Sequence, residues 1–333
     1  TYITANEGFF KRTLDYISFS VTAFLIGLFQ QCDIIIATSP QFFTALAGRT
    51  LSRFRNKPWI MEVRDLWPES IKTVGAMKDN LLIRHFEKEE VWCYKSASAI
   101  VSVTESFKTE IIKKGINPDK IKVIRNGANL DLYQPSPKCL DVIDKLGLRG
   151  KKVLGYIGTH GMAHKLDFIL DCAKELSKVD HSFHFLLIGD GAEKNNLRRK
   201  IEIEDISNVT MLDTVSKHEV ATYLSVLDAA IINLRKSDLF KTVIPSKIFE
   251  TAAMQIPILI GVDGEARMIV EQYDAGIFYE PENQESFINT INSLFKSEVL
   301  YKKCKKGGEQ LANDFDRKRL ADEMLTYLQS ILN

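Results

Sequence analysis

Two stretches carry side chains whose types and spacing could do chemistry. In Pro245-Ser246-Lys247-Ile248-Phe249-Glu250, a cation and a carboxylate stand about a turn apart, just after a proline. Proline suits the first helical position, where its missing N–H would go unpaired anyway. The free N–H groups of such a helix start favour an anion, and Lys247 adds a formal positive charge. Glu250, one turn further in, can accept two hydrogen bonds from vicinal hydroxyls, such as those of a ribose. The second stretch is Gly158-Thr159-His160-Gly161-Met162-Ala163-His164-Lys165, a glycine loop between an apolar strand and a helix. That arrangement holds phosphate at a helix start. The plainer readings are a solvated Lys–Glu pair on an ordinary helix and two structural histidines.

The elements around both stretches decide between these readings. Apolar strands over 229–234 and 258–262 flank the first stretch. Ile248 and Ala252 share one helix face, as do Phe249 and Ala253, and those positions should pack on a sheet. The strand Lys152–Ile157 precedes the glycine loop. Phe183–Ile188 is another strand, with Gly189-Asp190-Gly191 turning at its tip. Asn208–Leu212 leads into the loop Asp213–Lys217, which contains Val215, and Asp238–Thr242 is a further loop. Strands alternating with helices predict α/β units around parallel sheets, which bind ligands at the carboxyl ends of their strands.

The first half reads the same way. Strands are expected over 33–40, 58–63, 99–104 and 120–124, with helices over 41–55, 81–95 and 105–114. The run Glu87–Glu90 reads as a solvated face. Arg64 and Asp65 stand at a strand tip and open the segment Arg64–Ser70, where exposed loop residues carry function. Residues 9–31 are too short and interrupted an apolar run to span a bilayer. They suit either an interfacial anchor, with Lys11 and Arg12 at its start, or a buried helix.

A chain of 333 residues argues for two domains, and 45% hydrophobic residues are enough for a core. A net charge of +1 without a basic stripe speaks against a nucleic-acid partner. The five scattered cysteines, Cys32, Cys93, Cys139, Cys172 and Cys304, suit free thiols in a reducing, cytoplasmic compartment.

The stretch holding Pro245, Glu250 and Pro257 resembles the nucleotide-sugar motif of the family 4 retaining glycosyltransferases. The form Val-Ile-Pro-Ser-Lys-Ile-Phe-Glu resembles a branch that builds bacterial O-antigens and capsules, often labelled L-fucosamine transferases. The resemblance implies a GT-B fold, two Rossmann-like α/β domains facing one cleft. Residues 1–135 would form the acceptor-side domain, lacking the first strand and glycine loop of relatives. Residues 136–313 would form the nucleotide-sugar domain, and 314–333 a helix crossing back.

The resemblance also implies site roles. Glu250 would hold the ribose, and Ser246, Lys247, His164 and Lys165 the phosphates. Gly158, Thr159, His160 and Gly161 form the phosphate loop. Gly189, Asp190 and Val215 line the nucleotide, Thr242 faces the donor sugar, and Arg64 and Asp65 face the reacting sugar or the acceptor. Five positions depart from the family pattern: Thr159 and His164 replace an Arg and a Lys, Thr242 and Val243 replace a Glu-Gly pair, and Arg64 takes the place of a His. The missing Glu suggests an altered donor, a deoxy-amino sugar. The implied reaction is metal-independent, uses no cofactor, and moves a sugar from a UDP-sugar to a lipid-linked saccharide at the inner membrane face. The departing phosphate would take the acceptor's proton. A nucleotide-sugar epimerase and a non-catalytic binding module are the alternatives.

Overall fold

A computed structural model describes residues 2, 9–39, 42–69 and 81–332, apart from the side chains of 9–12 and 82. The expectations for Lys11, Arg12, residues 40 and 41 and Ser70 concern features outside this description. The chain divides into two compact units, Thr1–Arg125 with Leu320–Asn333, and Asn126–Arg319.

The first unit runs α1 (Phe9–Gly27), β1 (Ile35–Thr38), α2 (Phe42–Arg55), β2 (Trp59–Val63), α3 (Leu81–Ser96), β3 (Ala99–Ser102), α4 (Glu105–Lys113) and β4 (Ile121–Val123). Its four strands pair in chain order and all run parallel. Parallel strands are covered on both faces, so apolar runs such as Trp59-Ile60-Met61 are buried throughout. The Glu87–Glu90 expectation needs correction at Glu90, which is buried. Lys114 bonds both of its carboxylate oxygens, at 3.0 and 2.8 Å, and the Tyr94 hydroxyl donates to it at 2.7 Å. A carboxylate with that many donors can leave water, whatever the charge of its neighbours in sequence.

The second unit contains α5 (Leu140–Lys145), β5 (Lys152–Ile157), α6 (Leu166–Ser177), β6 (Phe183–Ile188), α7 (Lys194–Ile203), β7 (Val209–Leu212) and α8 (Val220–Ser225). Then come β8 (Ala229–Asn233), α9 (Lys247–Ala253), β9 (Ile258–Gly261), α10 (Glu265–Gln272), β10 (Gly276–Phe278), α11 (Gln284–Lys296), α12 (Glu298–Asp314) and the start of α13 (Arg317–Leu332), most of which belongs to the first unit. The sheet is parallel, in the order β10-β9-β8-β5-β6-β7. From β5 the chain builds outward one way and from β8 the other. The β5/β8 boundary is therefore a topological switch point, where such sheets open a crevice.

The division between units falls after Arg125, not after 135 as expected. Ala128 pairs with Asp316, its N–H donating to Phe315 O at 3.1 Å, and Tyr133 is buried in the second core. The last helix begins at Arg317, and from Leu320 on it belongs to the first unit, where Met324 and Leu328 pack near Ile60 and Val101. No helix of the described residues is long and apolar enough to cross a membrane.

Candidate functional site

The loop after β5 and the loop after β6 lie side by side at the switch point. Gly158 N–H donates to Ile188 O at 2.8 Å, His160 N–H to Asp190 O at 2.8 Å, and Glu193 N–H to His160 O at 2.9 Å. This zipper leaves no room for side chains. A Cβ on Gly189 would stand 1.8 Å from Gly158 O, and the φ of +150° there disfavours any other residue. The glycines seen in the sequence are thus needed for two backbones to touch.

Beneath the first loop lies Lys247, from the start of α9. A Cβ on Gly158 would be 2.5 Å from its Nζ and would displace the amine, and the φ of +149° there also disfavours other residues. The Nζ sits 3.7 Å from the centroid of the Tyr156 ring, is enclosed from solvent, and has no hydrogen-bond partner among the described residues. Burial pushes this amine down to about 7, with Glu250 pulling the other way.

His160 is fully buried, and neither ring nitrogen makes a hydrogen bond among the described residues. Burial, then the Lys194 and Lys247 charges, lower it to about 4. His164 lies with its ring 5.8 Å from that of Tyr156, and burial and Lys247 lower it to about 4 as well. Its carbonyl accepts from Asn233 Nδ2 at 2.9 Å, and Asn233 Oδ1 accepts from Tyr279 at 2.8 Å, which ties the loop to the end of β8. The His160 ring and the Lys247 amine thus lie buried without hydrogen-bond partners among the described residues, an arrangement that can receive an anion.

Glu250 lies one turn along α9. Burial raises its carboxyl above the usual range, while Arg317, Tyr133, Lys217 and Lys247 pull it back. It is half-buried, as an acceptor for ligand hydroxyls should be.

The structure brings together Gly158, His160, His164, Lys247, Gly189 and Asp190. Thr159 is exposed beside them, its carbonyl accepting from the Tyr156 hydroxyl at 2.7 Å. Gly161 begins the turn into a short 3-10 segment, Met162–His164. Ser246 is exposed and makes no side-chain cap to α9, which starts at Lys247 and not at Pro245. Val215 packs partly against the core.

Two residues point elsewhere. Lys165 bonds Asp167 at 2.6 Å and lines a cavity of about 530 Å³ with Gly161, Glu193, Lys200 and Arg235. Thr242 Oγ1 donates to Leu239 O at 2.6 Å, within its own turn. In the first unit, Arg64 Nη1 lies 3.3 Å from Glu62 Oε1, and the Arg64 and Asp65 backbones bond Ser39 Oγ, fixing the tip of β2.

Sequence reasoning missed Tyr156, Lys194, Asn233 and Arg317 as parts of the site. Lys194 carries a local signal, a cation at the start of the helix after Gly189-Asp190-Gly191; it is buried and bonds Asp213 at 2.5 Å. Arg317 lies far away in sequence, and only folding brings it to Glu250.

A putative teichuronic acid biosynthesis glycosyltransferase, TuaH, of Bacillus subtilis (strain 168) is 25% identical over 201 residues, covering 60% of this chain and 49% of that protein. An Escherichia coli UDP-Gal:alpha-D-GlcNAc-diphosphoundecaprenol alpha-1,3-galactosyltransferase is 22% identical over 313 residues, covering 91% of this chain and 77% of that one. Among solved structures, Anabaena Alr3699/HepE in complex with UDP and glucose superposes with a TM-score of 0.77 at 17% identity, covering 97% of this chain and 83% of that one. Sucrose-phosphate synthase from Thermosynechococcus elongatus gives a TM-score of 0.77 at 15% identity, covering 99% and 80%. The fold is therefore GT-B, two parallel-sheet α/β domains. The model of glycosyltransferase family 4 matches residues 5–132, and that of glycosyl transferases group 1 matches residues 142–311, more than half of the chain; the protein belongs to this glycosyltransferase family.

Proposed function

We propose that the protein is a retaining, metal-independent glycosyltransferase that moves a sugar from a UDP-sugar to a polyprenyl-diphosphate-linked saccharide in O-antigen or capsule synthesis. The observation that carries this reading is the enclosed, unpaired Lys247 amine under the Gly158 loop, with Glu250 one turn away. A diphosphate supplies the acceptor that the amine lacks, and ribose hydroxyls suit the carboxylate. Oriented loop N–H groups and the amine would stabilise charge on the departing diphosphate without reorganising. Arg64 and Asp65 would address the reacting sugar or the acceptor.

Likeness to a protein named for a UDP-Gal donor and a diphosphoundecaprenol-linked acceptor supports both substrate classes. Thr242 offers no carboxylate at that position and spends its hydroxyl proton within its own turn, which favours a donor lacking a hydroxyl there, such as N-acetyl-L-fucosamine. A membrane-surface role at the inner, cytoplasmic face is supported by α1, where Leu14, Ile17, Val21 and Leu25 form an exposed apolar stripe.

Calorimetric titration of the full chain with UDP, GDP and ADP tests the site. UDP should bind, and Glu250→Ala should weaken it at least about tenfold through loss of the ribose contacts. Equal binding by wild type and mutant would remove Glu250 from the site. Absence of binding by all three nucleotides would sink the donor reading.

A further inference from the structure

We propose that capture of the donor's diphosphate draws a proton from solvent onto the enclosed, unpaired Lys247 amine, so that donor binding is proton-linked. The inference rests on the nucleotide-sugar reading for the ligand's name, but not for its chemistry, which is that of a diphosphate.

The geometry is that of an amine with nothing to receive its proton's charge. The Nζ is enclosed, has no acceptor among the described residues, and lies against the face of Tyr156 at 3.7 Å. A ring face attracts a cation, but more weakly than a carboxylate or phosphate does. Of the charged groups packed around it among the described residues, Glu250 draws the amine upward, but less than burial pushes it down. From the loop after β5 come His160 and His164, both neutral. From α7 comes Lys194, itself a cation, engaged with Asp213 at 2.5 Å and lying 3.7 Å from Asp190. Asp190 is exposed at the loop after β6 and spends one oxygen on Gly191 N–H at 2.8 Å. On the lysine's own helix, Glu250 is shared with Arg317, Tyr133 and Lys217. Hence burial dominates and holds the amine at about 7.

A diphosphate reverses this balance. It brings two negative charges and several acceptors to the enclosed amine, which favours the charged form. The proton comes from bulk water and returns there on release, and no covalent bond changes. The histidines respond in the same direction but start from about 4, so near pH 8 the uptake belongs to Lys247.

The test uses the full chain and UDP-glucose, whose diphosphate is substituted at both ends and lacks the ionisation near pH 6 of a terminal phosphate. Titrations at pH 6.5, 7.5 and 8.5, each in Hepes and in Tris, give the number of protons taken up from the buffer dependence of the heat. Uptake should rise towards about one proton at pH 8.5, and affinity should fall by up to about tenfold per pH unit above the amine's own midpoint. Lys247→Arg should bind with no pH dependence in this range, and His160→Gln should keep the uptake at pH 8.5. Tight binding without uptake at pH 8.5, or unchanged uptake in Lys247→Arg, overturns the proposal.

A second measurement separates this inference from the donor reading. The Cε resonance of Lys247, assigned in 13C-lysine-labelled chain by its loss in Lys247→Arg, should titrate near 7 in the empty protein and move upward with inorganic pyrophosphate. If UDP-glucose fails to bind while pyrophosphate moves the resonance, the proton linkage stands and the nucleotide-sugar reading falls. A resonance titrating with the bulk lysines, or one indifferent to pyrophosphate, overturns the linkage whatever UDP-glucose does.

Discussion

An enclosed amine without an acceptor costs free energy whether charged or neutral, because either form gives up hydrogen bonds to water. Lys247 meets that description, so its value to the protein must lie in ligand binding. Replacing it with a flexible apolar side chain of similar reach should stabilise the empty protein. Lys247→Met is expected to raise unfolding free energy by about 1–3 kcal/mol near pH 6.5, while abolishing UDP binding. The sign with pH follows from the lowered lysine. Between about 7 and 10.5 the unfolded chain holds a proton that the folded one does not, so wild-type stability rises through that window. Below it the full cost of charging is present. The advantage of Lys247→Met should therefore shrink between pH 6.5 and 9.5, as read from urea melts at both. A mutant less stable than wild type at pH 6.5 would contradict the unpaired state of the amine.

Among the elements, the two glycine loops behave as one unit. Their N–H and C=O groups pair across the β5 and β6 ends, and the proposed anion site depends on the loops remaining in register. Gly189→Ala forces a Cβ to within 1.8 Å of Gly158 O, on backbone that cannot yield without breaking the 2.8 Å bond from Gly158 N–H to Ile188 O. The expected cost is at least about 3 kcal/mol, from strain together with a disfavoured φ. UDP affinity should fall with it. A urea midpoint within about 0.5 kcal/mol of wild type would show that the zipper is looser than its distances imply. The burial of Glu90 illustrates the same dependence in the first unit. Its place on α3 looks like one more charge in a charged run, and Lys114 and Tyr94 turn it into an internal acceptor.

For the whole molecule, the exposed stripe of α1 is the feature that folding of the described residues leaves uncovered. Leu14, Ile17, Val21 and Leu25 recur at helical spacing on one side, and Phe29 beyond the helix is 83% exposed. An interfacial helix buries such a face in the headgroup boundary. The full chain should sediment with vesicles of phosphatidylglycerol and phosphatidylethanolamine, and the pair Val21→Asp with Leu25→Asp should reduce the bound fraction severalfold while UDP affinity stays the same. Undiminished sedimentation of the double mutant would remove α1 as the contact.

Sequence alone determined the parts of this protein that depend on local pattern. Unbroken apolar runs such as Ala99–Val101 and Ile258–Ile260 set buried parallel strands, and their alternation with helices set the α/β class; the strand Ile35–Thr38 is parallel too, but Ile36 is left 44% exposed. The glycine loop and Lys247–Glu250 were legible because each follows a strand within a short segment. Tertiary structure decided what needs two distant segments to meet. It placed the Gly158 loop and Lys247 on either side of the β5/β8 switch point, enclosed the amine against Tyr156, and brought Arg317 to Glu250. It also turned Lys165 toward Asp167 and drew 126–135 into the second unit. Spacing can say which residues share a helix or a loop. Desolvation and counter-charge depend on every neighbour at once, so the character of Lys247 is a property of the fold.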